Sequence, residues 1–186
     1  QFSQYAMVSA SEAMADSGLL ESNPNVDRIG VIWGSGIGGL KTFQDESENF
    51  FAGDGTPRFN PFFIPKMIAD IAAGHISIKY GFRGPNFTTV SACASSTNAI
   101  IDAFNYIRLG HADAMVTGGS EAAVTIAGMG GFNAMHALST RNGATCLGFD
   151  LNVFGWGFHS DIGGSTDWIS TDADSGPWGE GSLINS

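Results

Sequence analysis

Apolar residues open the chain at helical spacing. Ala6, Met7, Ala10 and Met14 share one face of residues 3–17, and Gly18 follows as a stop. After the polar loop ESNPNVD (21–27), the β-branched run IGVIW (29–33) predicts a short buried strand, closed by the glycines of GSGIGG (34–39) in a tight turn. The pattern then turns polar over 40–60, where Gly53, Asp54, Gly55 and Pro57 predict a long surface excursion. Pro65 is suited to the first position of a helix, which MIADIAAGHISIKY (67–80) continues until Gly81 and Gly84-Pro85 stop it.

The next stretch is the most informative. FTTVSA (87–92) predicts a strand, Cys93 follows it directly, and SSTNAIIDAFNYIRLG (95–110) predicts a helix with Ile100, Ile101, Phe104 and Ile107 on one face and Gly110 as its cap. Cys93 therefore sits where a strand turns into a helix. AMVTGGSEA (114–122) predicts another buried strand, and IAGMGGFNAMHAL (126–138) a segment helical in part. Strands alternating with helices predict an α/β fold. Residues 142–186 differ: they hold nine Gly, three of the four Trp, six acidic residues and no Lys or Arg, with no sustained period. Two segments result, an α/β domain over 1–141 and a Gly/Trp/Asp-rich tail over 142–186.

Composition narrows the function classes. The chain carries 8 Lys+Arg against 18 Asp+Glu, a net charge of −10, which argues against nucleic-acid binding because that affinity rests on Lys and Arg neutralising phosphates. An acidic partner would have to meet a local basic patch. Glycine is abundant at 26 residues while proline is only 6, the profile of a tightly turned globular domain and not of a collagen or a Pro-rich coil. Two cysteines, Cys93 and Cys146, make no disulfide framework and no metal spacing. No apolar run approaches a membrane span, and the cytoplasm is the expected compartment. The first residue is Gln1, not Met, and helical patterning begins at once in QYAMVSASEAM (4–14), so the chain reads as part of something longer.

A cysteine at a helix N-terminus meets the positive end of the backbone dipole, which favours thiolate over thiol, and the same amides can stabilise an oxyanion forming on a thioester carbonyl. Cys93 is thus a candidate nucleophile, flanked by small residues that let a substrate approach; it could equally be a small buried hydrophobe. Gly34, Gly36 and Gly39 fit the dinucleotide-binding spacing, but no acidic residue closes a second strand about 20 positions later, which favours a structural turn. In the tail, Asp150, Asn152, Gly155 and Asp161 partly mimic a calcium loop, with Phe154 where a ligand belongs. His75, His111, His136 and His159 have no zinc-like spacing. No metal or other cofactor is therefore expected. Glu121, after a glycine pair at a strand end, reads either as a buried hydrogen-bond acceptor or as a turn residue.

At Cys93 the segment GPNFTTVSACASSTNAIIDAFNYIRLGHADAMVTGGSEA (84–122) resembles the nucleophile region of the β-ketoacyl-acyl carrier protein synthases, especially the type II elongating enzymes. QYAMVSASEAM, GVIWGSGIGGL, NPFFIPKMIADIAAGHISIKYGFRGPN and GGFNAMHALSTRN resemble further segments of that family, in order, so that the resemblance covers about residues 1–141. It implies a thiolase-like fold, layered α-β-α-β-α in the intact family and here mainly its N-terminal half, and a homodimer. By the same resemblance Cys93 accepts an acyl chain, which then condenses with malonyl-acyl carrier protein by decarboxylation. Ile37, Phe63, Gly128 and Phe132 fall where the family lines its acyl pocket, and Arg58 near a position that meets the acidic carrier protein.

The family's C-terminal His-Gly-Thr and Gly-His-Thr motifs, and its Gly-Phe-Gly-Gly turn, do not occur in these 186 residues. Full condensation by the chain as it stands is therefore not expected. The alternative is a non-catalytic partner or carrier-binding scaffold of the chain-length-factor type, a reading that the presence of Cys93 disfavours.

Overall fold

The computed structural model describes residues 1–138. The tail 142–186, with Cys146, His159 and the calcium-like positions Asp150, Asn152 and Asp161, lies outside the described residues.

Helix α1 (Phe2–Ser17) ends on Gly18, whose φ of 61° is the left-handed conformation that glycine adopts freely. Strand β1 (Ile29–Gly34) is buried along its whole length and forms the centre of a parallel sheet in the order β2-β1-β3, where β2 is Asn86–Thr89 and β3 is Ala114–Gly119. In register, Trp33 lies beside Thr88 on one side and Gly118 on the other. Successive residues of a strand face opposite ways, and β1 uses both faces. Ile29, Val31 and Trp33 pack with α1 and with α4 (Ile71–Tyr80), while Ile32 packs with Ala99 and Ala103 of α5 (Ser95–Arg108). The result is three layers, helix, sheet and helix, as an α/β pattern requires.

Small residues set the helix spacing on the first face. Ala6 and Ala10 of α1 and Ala72 and Ala73 of α4 are fully buried. One polar chain ties three elements together: the Trp33 indole N–H donates to Ser120 Oγ at 3.0 Å, and Ser120 Oγ donates to the Phe2 carbonyl at 2.9 Å. Removing that hydroxyl orphans the buried indole donor and removes the link to α1. Ser120→Ala is expected to lower unfolding stability by about 1–3 kcal/mol; a urea transition at the wild-type midpoint would show that the bridge contributes nothing.

The structure corrects four expectations. The polar stretch after residue 40 begins as a helix, α2 (Leu40–Ala52), and only the segment after it is irregular. Its polarity is that of a solvated face, stitched at i,i+4 by Lys41 to Asp45 (2.8 Å) and Gln44 to Glu48 (3.1 Å). The helix expected from Pro65 to Tyr80 is two helices, α3 (Phe63–Met67) and α4, with Pro65 third in α3 and Ile68 extended between them. The glycine turn captures the end of α3: the Gly39 N–H donates to the Met67 carbonyl at 2.9 Å. The strand before Cys93 stops at Thr89 and that after Ala114 at Gly119, both short of the expected ends. Finally, Ile100, Ile101, Phe104 and Ile107 stay between 43% and 60% exposed, while the buried face of α5 is Ser95, Ala99 and Ala103. Helix α6 (Ile126–Ala134) forms inside the segment expected to be partly helical.

Candidate active site

The chain leaves β2 at Thr89 and enters α5 at Ser95, so five residues must reverse it. Ala92 takes a φ of 52°, a conformation that carries strain of about 1–3 kcal/mol in a non-glycine residue. Local hydrogen bonds hold it there. Ala94 N–H donates to Ser91 O (3.1 Å) and Ser95 N–H to Ala92 O (3.2 Å). The buried Ser95 hydroxyl donates to Ala92 O (2.7 Å) and accepts from the Ser91 N–H (2.9 Å). Asn98 Nδ2 donates to Ser91 Oγ at 2.6 Å, and Thr89 Oγ1 to the Ser95 carbonyl at 2.8 Å. Every side chain in this network flanks Cys93 and leaves its thiol out. Cys93 itself is exposed, two residues ahead of a 14-residue helix.

That placement answers the open question at Cys93: it is no buried hydrophobe. The exposed apex lets an electrophile reach it.

Glycines let this turn sit against the sheet. A Cβ at Gly34 would lie 2.6 Å from Ser96 N, and one at Gly119 equally close to the Ser96 Cβ. Gly36 faces the Ala92 carbonyl, where a Cβ would come to 3.0 Å, and Gly38 has a φ of 77°. GSGIGG is therefore a turn on which other backbone packs, as its sequence context favours. Glu121 completes it: Oε2 accepts from the Ile37 N–H at 2.7 Å and Oε1 from the Gly38 N–H at 3.1 Å. It is a hydrogen-bond acceptor, as one of the two readings had it, though on an exposed residue.

Each pocket candidate is placed by its own surroundings. Ile37 rides on the glycine turn, next to Gly36, and is 44% exposed. Phe63 belongs to an aromatic row, with ring centroids 5.3 Å from Phe59 and 6.4 Å from Phe43. Gly128 is buried against the Ala123 carbonyl and the Leu40 side chain. Phe132 is half-buried, its carbonyl accepting from the Ala137 N–H at 3.0 Å. An apolar groove of about 690 Å³, walled by Leu40, Phe43, Phe51 and Ala127, runs beside this aromatic row and not at Cys93. Arg58 is exposed and lies 3.7 Å from Asp54, a loose pair. The backbone and hydroxyl of Thr56 bond the Asp54 carboxylate and hold its pKa below the usual value.

Sequence reasoning missed the left-handed Ala92 and the bracing by Ser95 and Asn98. A small residue ahead of Cys93, then Ser and Asn at helical spacing, was the available signal. Among the described residues no cluster of three or more His, Cys, Asp or Glu is placed to hold a metal ion, and no helix is long and apolar enough to cross a membrane.

Comparison with known proteins adds independent findings. The family model of the β-ketoacyl synthase N-terminal domain matches residues 1–158. The 3-oxoacyl-acyl-carrier-protein synthase 2 of Staphylococcus aureus (strain N315) is 47% identical over 142 residues, 76% of this chain and 34% of that protein. The enzyme of the same name from Synechocystis sp. is 44% identical over equal coverage. The chain thus spans about a third of the length of these curated relatives. Among solved structures, a β-ketoacyl synthase from Burkholderia phymatum aligns with a TM-score of 0.66 at 28% identity, over 76% of this chain and 34% of that one. A ketosynthase complex, a type II PKS acyl-carrier protein with its ketosynthase, aligns with a TM-score of 0.68 at 23% identity, over 74% and 40%, and shares the fold.

Proposed function

The chain belongs to the β-ketoacyl synthase family, and from that premise we propose that it carries the acyl-accepting half of a condensing enzyme of fatty acid synthesis, with Cys93 as the nucleophile. The observation that carries the proposal is the exposed thiol at the apex of a braced strand-to-helix turn. The Cys93 thiolate attacks the thioester carbonyl of an acyl-acyl carrier protein, forming a new C–S bond and an oxyanion beside the α5 amides. The oxyanion collapses, the bond to the carrier breaks, and the carrier's sulfur leaves as a thiolate that takes up the proton the Cys93 thiol gave up. In the complete reaction malonyl-acyl carrier protein then loses carbon dioxide. Its carbanion attacks the Cys93 thioester and expels the thiolate, adding two carbons.

Ile37, Phe63, Gly128 and Phe132 are proposed to line the acyl chain's path, and Arg58 to offer a cation to the acidic carrier. The exposed rings of α2 and α3 suit a homodimer contact. The proposed compartment is the cytoplasm. Domain 1–141 carries these roles, and 142–186 is given none.

The chain is expected to release free thiol from a long-chain acyl-acyl carrier protein, and Cys93→Ala to release none above the buffer rate. Equal release by both proteins would remove Cys93 from the reaction.

A further inference from the structure

We propose that Glu121 is a positioning residue of the Cys93 site, setting the rim over which an apolar acyl chain passes. The proposal rests on the acyl-accepting role of Cys93 and extends it to a residue that the sequence marks only as an acceptor or a turn residue and that the resemblance leaves without a part. The geometry is specific. One carboxylate clamps two consecutive amides, Ile37 N–H at 2.7 Å and Gly38 N–H at 3.1 Å, and its Oε1 also accepts from the Ala122 N–H at 3.3 Å. Gly36 lies between this carboxylate and the nucleophile turn: a Cβ there would be 3.2 Å from Glu121 Oε2 and 3.0 Å from the Ala92 carbonyl.

Four glycines leave the turn little intrinsic stiffness, because glycine spans backbone conformations at low cost. A turn of this kind keeps one shape only if something outside it takes up its amides. Glu121, just past the end of β3, does so, and it carries the turn's only long side chain, Ile37, as a consequence. A carboxylate accepts from both amides, whereas a carboxamide must turn its NH₂ toward one of them, so Glu121→Gln sets donor against donor at unchanged size. The Cys93 turn retains its own bonds to Ser95 and Asn98 in that variant. Nucleophile reactivity and chain selectivity should then separate.

The test uses the whole chain and two alkylating probes, iodoacetamide and N-dodecyl iodoacetamide, with modification read at the Cys93 peptide by mass spectrometry. The wild type is expected to favour the dodecyl probe. In Glu121→Gln that preference falls about tenfold while the iodoacetamide rate stays within about twofold, and Glu121→Asp regains part of it. A clamp that served only overall stability would change both rates together. Should Glu121→Gln fail to melt cooperatively, Glu121→Asp carries the comparison, because it keeps the charge at shorter reach. An unchanged preference in a folded variant overturns the role of Glu121 alone. A wild type that shows no preference overturns the acyl-site reading beneath it.

Discussion

Gly34→Ala is expected to lose about 3 kcal/mol of stability and to slow Cys93 alkylation more than about tenfold. Gly34 ends β1 where the first turn of α5 crosses it, and an added Cβ would meet the Ser95 carbonyl oxygen at 2.5 Å and Ser96 N at 2.6 Å. Both are backbone atoms, so no side chain can swing aside. Either the sheet end or the head of α5 must move, and the head of α5 holds the Ser95 hydroxyl that fixes Ala92. The strained turn then loses its brace and Cys93 its place. Gly74 is the matched control: it lies inside α4 with open space around its Cβ position. Gly74→Ala should stabilise by about 0.5–1 kcal/mol, because glycine is a poor helix interior residue. Urea unfolding with parallel thiol labelling reads both; destabilisation of equal size in the two variants would contradict the packing argument.

The outward face of α5 should make the chain self-associate. Ile100 (43% exposed), Ile101 (50%), Phe104 (60%) and Ile107 (44%) form a run of large apolar side chains on one helix, and Leu109 beside them is 66% exposed. Faces of this kind mark contacts with another surface. Burying such a side chain contributes about 1.5–3 kcal/mol, so Ile101→Lys with Phe104→Lys should weaken association about 100-fold or more. The melting temperature should hold, because the inner contacts of α5 run through Ala99 and Ala103. Sedimentation velocity decides it. A wild-type chain that sediments as a monomer at all concentrations would refute the prediction.

What could be read from the chain alone follows a physical division. Helix α1 was legible because its buried positions are apolar and regularly spaced, β1 because it is one β-branched apolar run buried on both faces, and α5 because a regularly spaced apolar stripe marks a helix even where that stripe faces outward. Helix α2 stayed hidden because its stability draws on polar i,i+4 pairs and a few large rings, a mixture that reads as loop. The break between α3 and α4 comes from a backbone contact with residues nearly 30 positions earlier, Gly39 with Met67, which no local pattern records. Cys93 was legible as a strand-to-helix junction. Its left-handed neighbour Ala92 was not, because periodicity does not record the side-chain bonds of Ser95 and Asn98 that brace the turn; Glu121 was legible as an acceptor, but not its partners Ile37 and Gly38, which the sheet brings to it from far earlier in the chain.

The measurement that bears most directly on the whole account is the intact mass of the chain after incubation with a long-chain acyl-acyl carrier protein, followed by peptide mapping. The expected result is a gain of one acyl group, located on Cys93 and absent from Cys93→Ala. A cooperatively melting wild-type chain that gains no acyl group, or carries it on another residue, would contradict it.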